Sequence, residues 1–177
     1  MIAYRAGAGP TGQSMTPAPV DGQRFREIVG HFASGVTVVT TEVDGQPFGT
    51  TASAVTSLSL DPPMMLVCMN KESSTGQAIT ESGHFAINIL CDGQEEVAMR
   101  FAGKSADKFR ALNFVRGAWG LPLIRDALAH VVCELTEQAE AGTHRVFIAE
   151  VRGASASPVG RPMLYFRGRF GKLASAL

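Results

Sequence analysis

The alternation of apolar and polar residues along the chain predicts that strands dominate its fold. Residues 36–60, VTVVTTEVDGQPFGTTASAVTSLSL, alternate on both sides of Asp44-Gly45. Asp-Gly suits the positive φ angles of a tight hairpin turn, so two strands joined by that turn are expected here. Apolar or alternating runs predict further strands at residues 64–70, 84–90, 127–141, 143–156 and 161–173. Because these strands do not alternate regularly with helices, the pattern favours an antiparallel barrel decorated by short helices over a doubly wound sheet.

Apolar residues at helical spacing predict a few short helices. The first is expected to begin at Asp21, a suitable N-cap residue, and to end at Gly35. Its apolar residues recur at positions i, i+3, i+4 and i+7: Phe25, Ile28, Val29 and Phe32. Further helical segments are predicted at residues 73–81 (capped by Ser73), 92–102 and about 106–112, and a glycine-rich loop at 117–122.

The length of 177 residues suits one domain, which we expect to cover residues 21–177. Residues 1–20 are rich in Gly, Pro and Ala and are predicted to form a flexible N-terminal tail. The tail matches G-x-G-x-x-G at residues 7–12. No βαβ pattern surrounds this match, so we do not interpret it as a dinucleotide-binding loop.

The net charge limits which classes of partner are expected for the chain, and the cysteine content indicates its cellular compartment. With 16 basic and 16 acidic residues the net charge is zero, so neither nucleic acid nor an anionic membrane is expected as a partner. The longest apolar runs are too short to span a membrane. Cys68, Cys91 and Cys133 form no C-x-x-C motif, and the N-terminus shows no secretory signal. A reduced, cytoplasmic protein with its cysteines as small buried residues is therefore expected.

Two segments concentrate small polar groups. In residues 49–63, GTTASAVTSLSLDPP, four hydroxyl residues share one parity and are expected on one side of a single strand: Thr51, Ser53, Ser57 and Ser59. Lys71 precedes the hydroxyls of Ser73-Ser74-Thr75 at a predicted helix N-terminus. Free N–H groups and the helix dipole favour a phosphate there, although an ordinary N-cap beside a solvated lysine explains the same residues.

The chain shows no reactive constellation of its own. No H-E-x-x-H, G-x-S-x-G, P-loop or zinc-binding spacing occurs, so no metal is expected. His31, His84 and His130 are expected to be structural. His144 follows Gly142-Thr143 at the entry to a predicted strand, where either a functional imidazole at a barrel rim or a structural one fits. An anion-binding, hydroxyl-lined cleft of this kind either only binds a ligand or uses a cofactor for its chemistry.

Seven segments of the chain occur in the order, and at about the spacing, of the short-chain flavin reductase-like family. They are HFASGVTVVTT, GTTASAVTSLSLDPPMMLVCMNKESST, GHFAINIL, RFAGKSADKF, LPLIRDALAHVVCEL, GTHRVFIAEV and PMLYFRGRFG. The chain resembles this family from residue 22 to residue 173. The resemblance implies a mainly β protein with short helices, a flavin-binding split barrel, and usually a homodimer with sites near the subunit interface.

The resemblance also implies which residues bind the flavin. Those along the isoalloxazine ring are Thr51, Ala52, Ser53, Ala54 and Val55, with Ser57 nearby. Those that hold the flavin phosphate are Ser73, Ser74 and Thr75, with Lys71 close by. Those that reach the ribityl or phosphate end are Phe101, Ala102, Lys108 and Phe109. A C-terminal aromatic strand, whose rings either cover the flavin or nicotinamide or belong to the barrel core, contains Tyr165, Phe166, Arg167 and Phe170.

The chain departs from the family pattern at two positions of the implied site. His144 matches the histidine of a Gly-Asp-His motif that lies near the nicotinamide in relatives, which makes it the candidate catalytic residue. Thr143 replaces the Asp and can orient His144 only as an uncharged partner. Thr50 stands where relatives often carry Met or a larger apolar residue, a change that bears on flavin packing or selectivity.

The activity implied by the resemblance is that of an NAD(P)H:flavin oxidoreductase. Such an enzyme reduces FAD or FMN by hydride transfer to flavin N5 and supplies the reduced flavin to a partner flavin-dependent monooxygenase. The sequence shows no clear pocket for a 2′-phosphate, so NADH is favoured over NADPH. Three alternatives stay open: a reductase that retains its flavin, a non-catalytic flavin-binding or electron-carrier protein on the same barrel, and an oxidase of the pyridoxamine-phosphate type.

Overall fold

The computed structural model describes residues 18–105 and 107–174. These residues form three α-helices: α1 Gly22–Val29, α2 Ser74–Ser82 and α3 Glu95–Ala102. They also form twelve strands: β1 Ser34–Gly35, β2 Thr37–Val43, β3 Gln46–Ala52, β4 Val55–Leu60, β5 Pro63–Asn70, β6 His84–Ile89, β7 Phe114–Arg116, β8 Pro122–Ile124, β9 Ala129–Ala141, β10 His144–Ala156, β11 Met163–Phe166 and β12 Arg169–Lys172. The prediction of a mainly β protein with short helices is confirmed.

Seven strands form one antiparallel sheet in the order β3-β2-β6-β9-β10-β5-β4. β3 and β4 follow each other in sequence but lie at opposite edges of this sheet, joined only by Ser53-Ala54. Each residue extends the chain by at most about 3.6 Å, so this short link brings the two edges together and the sheet curls into a barrel. A three-stranded sheet, β1-β11-β12, and the β7-β8 pair lie beside it.

Two apolar clusters form the core. The first fills the barrel and contains Val39, Ala52, Val67, Met69, Ile79, Phe85, Ile87, Cys133, Phe147 and Ala149. The second joins α3 to β2, β8 and β11 and contains Val36, Val38, Leu90, Ala98, Phe101, Ile124 and Met163. α2 contributes Ile79 to the barrel cluster, so the position of this helix is fixed by the core.

Asn88 is a polar residue that links the sheets from inside the core. Its side chain is fully buried. Nδ2 donates to the carbonyl of Val38 at 2.9 Å and to Oγ1 of Thr40 at 3.1 Å, while Oδ1 accepts from the amide of Ile124 at 2.8 Å. The side-chain amide of Asn88 therefore connects β6 to both β2 and β8 through buried hydrogen bonds.

The hairpin turn predicted at Asp44-Gly45 is confirmed. Asp44 has φ = 50° and Gly45 has φ = 81°, values in the left-handed region that a two-residue I′ turn requires. Val43 pairs with Gln46 directly across the turn. The capping predicted for Ser73 is also confirmed, since its Oγ accepts from the amide of Gly76 at 3.3 Å.

Two predicted strands are each divided in the structure. The run at residues 46–60 breaks at Ser53-Ala54 because its second half pairs with β5 at the other edge of the sheet. The run at residues 161–173 is a hairpin rather than one strand. Arg167 and Gly168 form its turn with φ = 48° and 78°.

The helical segment predicted at about residues 106–112 is a set of turns over residues 107–112, while residue 106 lies outside the described residues. The helix predicted to begin at residue 92 begins at Glu95. In the predicted loop at residues 117–122, Ala118–Gly120 form a single 3₁₀ turn and Pro122 begins β8. Of the predicted tail, only residues 18–20 are described, and the G-x-G-x-x-G match lies outside the described residues.

α1 begins as predicted but ends earlier. The Asp21 carboxylate accepts from the amides of Gln23 and Arg24 at 2.9 Å each. The helix ends at Val29, with Gly30 as C-cap, rather than at Gly35. The apolar residues of the predicted stripe are exposed on the single chain, with exposed fractions of 59% for Phe25, 51% for Ile28 and 46% for Val29 in α1, and 83% for Phe32 beyond its end. The apolar stripe is therefore at least partly uncovered on the single chain, although Ile28 lines a cavity together with Tyr165.

Candidate functional site

A cleft of about 280 Å³ lies where the two edges of the barrel sheet meet. Three separate parts of the chain line it: the end of β3 with the link to β4, the end of β5 with the cap of α2, and the start of β10. The lining residues are Thr50, Thr51, Ala52, Ser53, Ala54, Cys68, Met69, Asn70, Ser73 and His144. Six residues of the implied site are thus brought together: Thr51, Ala52, Ser53, Ala54, Ser73 and His144.

The wall formed by β3 and its link consists of small residues. Ala52 is buried, whereas Ser53 and Ala54 are exposed. Oγ1 of Thr51 donates to the carbonyl of Ala98 in α3 at 2.6 Å, so this hydroxyl fixes β3 to the helix. Ser53 and Ala54 have no partner in the ladders that β3 and β4 form with their neighbours, but the carbonyl of Ala54 accepts from the amide of Cys68 at 2.9 Å. Both residues of the link line the cleft.

The predicted row of hydroxyls on one strand face is wrong. Thr51 belongs to β3, and Ser53 lies in the link between the strands. Ser57 and Ser59 lie on β4, at the opposite edge of the sheet, and a register shift against β5 separates them. The break in the backbone at the link removes the common parity on which that prediction depended.

The N-terminus of α2 forms the second wall. Ser73 caps the helix, and its own amide donates to the carbonyl of Asn70 at 3.0 Å. Ser74, the first helical residue, is exposed. The side chain of Thr75 is only 1% exposed, so its hydroxyl is not presented to solvent. The first N–H groups of a helix lack partners inside the helix, which leaves donors at this wall.

Lys71 precedes this helix and is paired with a carboxylate. Its Nζ lies 2.7 Å from Oε2 of Glu140, and the other carboxylate oxygen lies 3.4 Å from a guanidinium nitrogen of Arg145. The hydrogen bond and charge of Lys71, helped by Arg145, hold the pKa of Glu140 below its ordinary value. Glu72, between Lys71 and the cap residue Ser73, adds a second carboxylate, so the formal charges of these four groups sum to zero beside the start of α2.

His144 stands at the start of β10 and is exposed. Its Nδ1 lies 2.9 Å from Oγ1 of Thr143, so the two side chains are within hydrogen-bond distance. The carbonyl of Thr143 accepts from the amide of Lys71 at 3.1 Å, and His144 pairs with Asn70 across the strands. These contacts fix the imidazole beside the end of β5.

The remaining residues of the implied ring and ribityl contacts lie away from the cleft lining. Val55 packs against the barrel core, and Ser57 is exposed on β4. The side chain of Phe101 is fully buried and packs edge-on against Phe109, with 5.0 Å between ring centroids. Ala102 is exposed at the end of α3. Any contact of Phe101 with a ligand is therefore left to its backbone.

Lys108 ties α3 to β3 behind the cleft wall. Its Nζ donates to the carbonyl of Gly49 at 3.1 Å and to that of Phe101 at 2.9 Å. Burial lowers the pKa of the Lys108 amine from its ordinary value. A cation at the C-terminus of a helix is favoured by the helix dipole, so these contacts are structural in the chain as it stands.

Tyr165 and Phe170 lie on the β11-β12 hairpin, with 5.7 Å between their ring centroids. Tyr165 lines a different and larger cavity, of about 990 Å³, between α1 and the β11-β12 turn. His31 also lines this cavity and contacts Arg167 of that turn. The aromatic strand therefore lies beside α1 rather than in the lining of the 280 Å³ cleft.

The other histidines make structural contacts, and the prediction that all three cysteines are buried is confirmed for only one of them. His84 stacks on Trp119 at 4.0 Å, and the His130 ring contacts the carbonyl of Ile124 at 2.8 Å. The three cysteines are free: Cys68, Cys91 and Cys133. Cys133 is buried as predicted, and burial raises the pKa of its thiol to about 12. Cys68 and Cys91 are partly exposed, and Cys68 lines the cleft.

Sequence reasoning missed Cys68 and Met69 as lining residues and Glu140 as the partner of Lys71. Met69 follows the strand pattern of β5, which marks it only as a core residue. Glu140 is 69 positions from Lys71, so only the pairing of β9, β10 and β5 brings them together. No local signal in the sequence marks that contact.

Within 18–105 and 107–174, no group of three or more His, Cys, Asp or Glu side chains is arranged to hold a metal ion. None of the helices described there combines the length and the apolar character needed to cross a membrane.

The fold places the chain among split-barrel flavin reductases. The NADH:FAD oxidoreductase of Streptomyces globisporus C-1027, solved with NAD and FAD fragments, is 38% identical with a TM-score of 0.83, over 89% of this chain and 98% of that one. The flavin reductase component of a bacterial two-component tryptophan halogenase is 35% identical with a TM-score of 0.83, over 88% of this chain and 100% of that one. The predicted split barrel is confirmed.

The family follows from the sequence comparisons. The model described as Flavin reductase like domain matches residues 29–174, and the chain belongs to this family. The reductase component of the 4-nitrophenol 4-monooxygenase/4-nitrocatechol 2-monooxygenase of Rhodococcus opacus is 49% identical over 153 residues, 86% of this chain and 82% of that protein. The NADH-dependent FAD reductase of Streptomyces globisporus is 40% identical over 162 residues, 88% of each chain. The resemblance inferred from the sequence is confirmed, and the protein is an oxidoreductase of the flavin reductase class.

Proposed function

We propose that this protein uses NADH to reduce FAD or FMN and supplies the reduced flavin to a partner flavin-dependent monooxygenase. The observation that carries the proposal is the convergence of the Ser53-Ala54 link, the N-terminus of α2 and His144 on one cleft. A bound flavin supplies the redox chemistry, accepting a hydride from NADH at its N5. The residues of the protein have to bind and orient the two reactants, which needs no nucleophile.

The small residues of the cleft fit the flavin ring. Ala52, Ser53 and Ala54 carry side chains of at most two heavy atoms, so a planar ring can approach the backbone closely. The link lies outside the sheet ladders, and its backbone groups other than the Ala54 carbonyl, which accepts from Cys68, can pair with the polar edge of the ring. We assign Thr51 to the same wall through its backbone, since its hydroxyl is bonded to α3.

The N-terminus of α2 fits the flavin phosphate. Its first N–H groups, the exposed hydroxyl of Ser74 and the ammonium of Lys71 are all groups that favour an anion. Ser73 holds the first turn in place by capping it. We assign Thr75 a contact through its backbone only, because its side chain is buried.

We assign His144 to the nicotinamide. It is exposed and lines the same cleft as the small residues at the end of β3. The Thr143 hydroxyl lies within hydrogen-bond distance of Nδ1 and takes the orienting role of the carboxylate found in the family motif. An uncharged partner orients the ring without the electrostatic stabilisation of an imidazolium that Asp would provide.

Two observations support a homodimer. The cleft of about 280 Å³ on one chain is at the lower end of the range for small-molecule sites, about 300–1,000 Å³, and suits part of a flavin rather than the whole of FAD. The apolar stripe of α1 is exposed, and packing against a second copy would remove it from water. We propose that the second copy both covers α1 and completes the site.

The class of relatives supports the proposed partner, and the cysteines support the proposed compartment. Relatives at 36% to 49% identity are named reductase components or subunits of flavin-dependent or nitrophenol monooxygenases, which supports a monooxygenase as recipient of the reduced flavin. Free cysteines fit the reducing cytoplasm. We retain residues 21–177 as one split-barrel domain, with residues 1–20 as a tail.

The test is the steady-state loss of NADH or NADPH absorbance with FMN, FAD or no added flavin. Turnover that needs added flavin and saturates with it supports a reductase with an exchangeable flavin. Turnover without added flavin, by protein that retains a flavin through purification, would replace this with a prosthetic flavin. Bound flavin without turnover would contradict the reductase and favour the electron carrier. His144→Ala should raise the KM for NADH more than the Kd for flavin, and unchanged NADH kinetics would remove His144 from the site.

A further inference from the structure

The ion pair between Lys71 and Glu140 places a negative charge beside the position proposed for the flavin phosphate. Lys71 Nζ and Glu140 Oε2 are 2.7 Å apart, the distance of a charge-assisted hydrogen bond. Because the pKa of Glu140 lies below its ordinary value, the carboxylate is ionised at neutral pH. The cation assigned to the phosphate is therefore already engaged by an anion of the same chain.

The strand register keeps the backbone of Glu140 close to residues that line the cleft. Glu140 pairs with Arg145 across the β9-β10 hairpin, and His144, which precedes Arg145 in β10, pairs with Asn70 at the end of β5. Asn70 lines the cleft and is adjacent in sequence to Lys71. The backbone of Glu140 is thus fixed by strand pairing on the hairpin that also carries His144, within reach of Lys71.

The side chains of the pair are free to move even though the backbone is not. The side chain of Glu140 is 60% exposed and that of Lys71 is 32% exposed. An ion pair at this exposure contributes little to stability, so it can open when a stronger anion arrives. A phosphate that binds Lys71 has to displace the carboxylate or bind beside it, and like charges repel in either arrangement.

We infer that Glu140 lowers the affinity for flavin by competing with the flavin phosphate for Lys71, and so keeps the flavin exchangeable. The inference rests on the proposed function and deepens it, because a reductase that delivers its product must release it. Glu140 is a positioning residue that acts through Lys71 and not through the reacting atoms. The affinity for the flavin phosphate therefore depends on a residue of the β9-β10 hairpin as well as on the N-terminus of α2.

The test compares binding of FMN and riboflavin, which differ by the phosphate, to the full chain and to Glu140→Gln. Calorimetric titration at low ionic strength should give an FMN Kd about 3- to 10-fold lower for the variant, as expected for removal of one partly exposed charge. The riboflavin Kd should stay the same. Glu137→Gln is the matched control, because it removes an exposed carboxylate from the same strand, β9, and should change neither Kd.

A second pair of variants separates competition from a general change of charge. In a Lys71→Met background, adding Glu140→Gln should change the FMN Kd less than it does in the parent. Equal FMN binding by the parent and Glu140→Gln, weaker FMN binding by Glu140→Gln, or an equal gain for riboflavin would each overturn the inference while leaving the proposed function intact. Failure of the parent chain to bind either flavin would overturn the proposed function and the inference with it.

Discussion

Replacing Gly49 by Ala tests how β3, which forms one wall of the cleft, is held against α3. A Cβ atom at position 49 would lie 2.5 Å from Cε1 and 2.8 Å from Cδ1 of Phe101, and 3.2 Å from Cζ of Phe109. Carbon atoms in contact normally lie about 3.5–4.0 Å apart, so the Phe101 ring has to withdraw by about 1 Å. The ring is fully buried and can withdraw only by displacing other residues of the second apolar cluster.

The expected magnitudes follow from this overlap. Gly49→Ala should lower the free energy of unfolding by about 1–3 kcal/mol, the usual cost of overpacking a core. Phe101→Leu should cost about 1–2 kcal/mol, less than the 3–5 kcal/mol typical of Phe→Ala, because the cavity is smaller. In the double variant the new methyl group enters space that the smaller side chain leaves. The loss of unfolding free energy in the double variant should therefore be smaller than the sum of the two single losses. The difference should be at least about 1 kcal/mol, the size of coupling seen between residues in contact.

The assay is urea unfolding followed by far-UV circular dichroism for the parent, both single variants and the double variant. All four are compared at one protein concentration, because unfolding of an oligomer depends on concentration. Gly171→Ala in β12 is the control, since a Cβ there has no atom within 4 Å, and it should stay within about 0.5 kcal/mol of the parent. A Gly49→Ala variant as stable as this control, or strictly additive losses in the double variant, would refute the packing argument.

Three further predictions concern buried and charged groups. Asn88→Asp should lower the free energy of unfolding by at least about 3 kcal/mol at neutral pH, because a carboxylate would face a β2 carbonyl in the core. This loss should shrink on acidification, when the new carboxyl becomes a donor. Thermal unfolding at several pH values measures both effects, and an unchanged stability would contradict the hydrogen bonds described. Burial raises the pKa of Cys133 to about 12, so a maleimide should leave it unlabelled in the folded protein while Cys68 and Cys91 react. Mass spectrometry of peptides measures the labelling, and labelling of Cys133 before the other two would contradict the prediction. Because the folded-state pKa of Glu140 is lowered, its stabilising contribution is present above about pH 4.3 and is lost as the pH falls below that value. The unfolding midpoints of the parent and of Glu140→Gln should therefore converge on acidification. A difference between the midpoints that widens would contradict the lowered pKa.

Features set by a few neighbouring residues could be predicted from the sequence. The Asp44-Gly45 turn and the caps at Asp21 and Ser73 depend on local backbone and side-chain chemistry, and all three are present. The strand break at Ser53-Ala54 could not be predicted, because the alternation of apolar residues continues through it. Only the pairing of β4 with β5, at the far edge of the sheet, imposes the break.

The candidate site was predicted in part, and from a family resemblance rather than from local backbone and side-chain chemistry. The resemblance to a family identified the segments around Ser53, Ser73 and His144, which the fold then brings to one cleft. It did not distinguish side chains that face the cleft from those turned inward, such as Phe101, whose orientation is decided by packing against Gly49. The Glu140 carboxylate beside Lys71 depends on strand register alone, which one sequence does not reveal.

The two-residue link between β3 and β4 also bears on how the protein folds. Three pairs of neighbouring strands in the seven-stranded sheet are hairpins: β2-β3, β4-β5 and β9-β10. The remaining neighbours are strands far apart in sequence, such as β6 with β9 and β5 with β10. Contacts between distant segments form slowly because loop closure costs entropy before they stabilise the fold. We therefore expect the β2-β3 and β4-β5 hairpins, which the link joins, to form early, and the pairing of β6 with β9 and of β5 with β10 to form late, so that a nascent chain gains its ability to bind flavin only when the whole barrel is complete. Pulse-labelling hydrogen exchange would show this as protection of the β3 amides before those of β6, and the opposite order would contradict it.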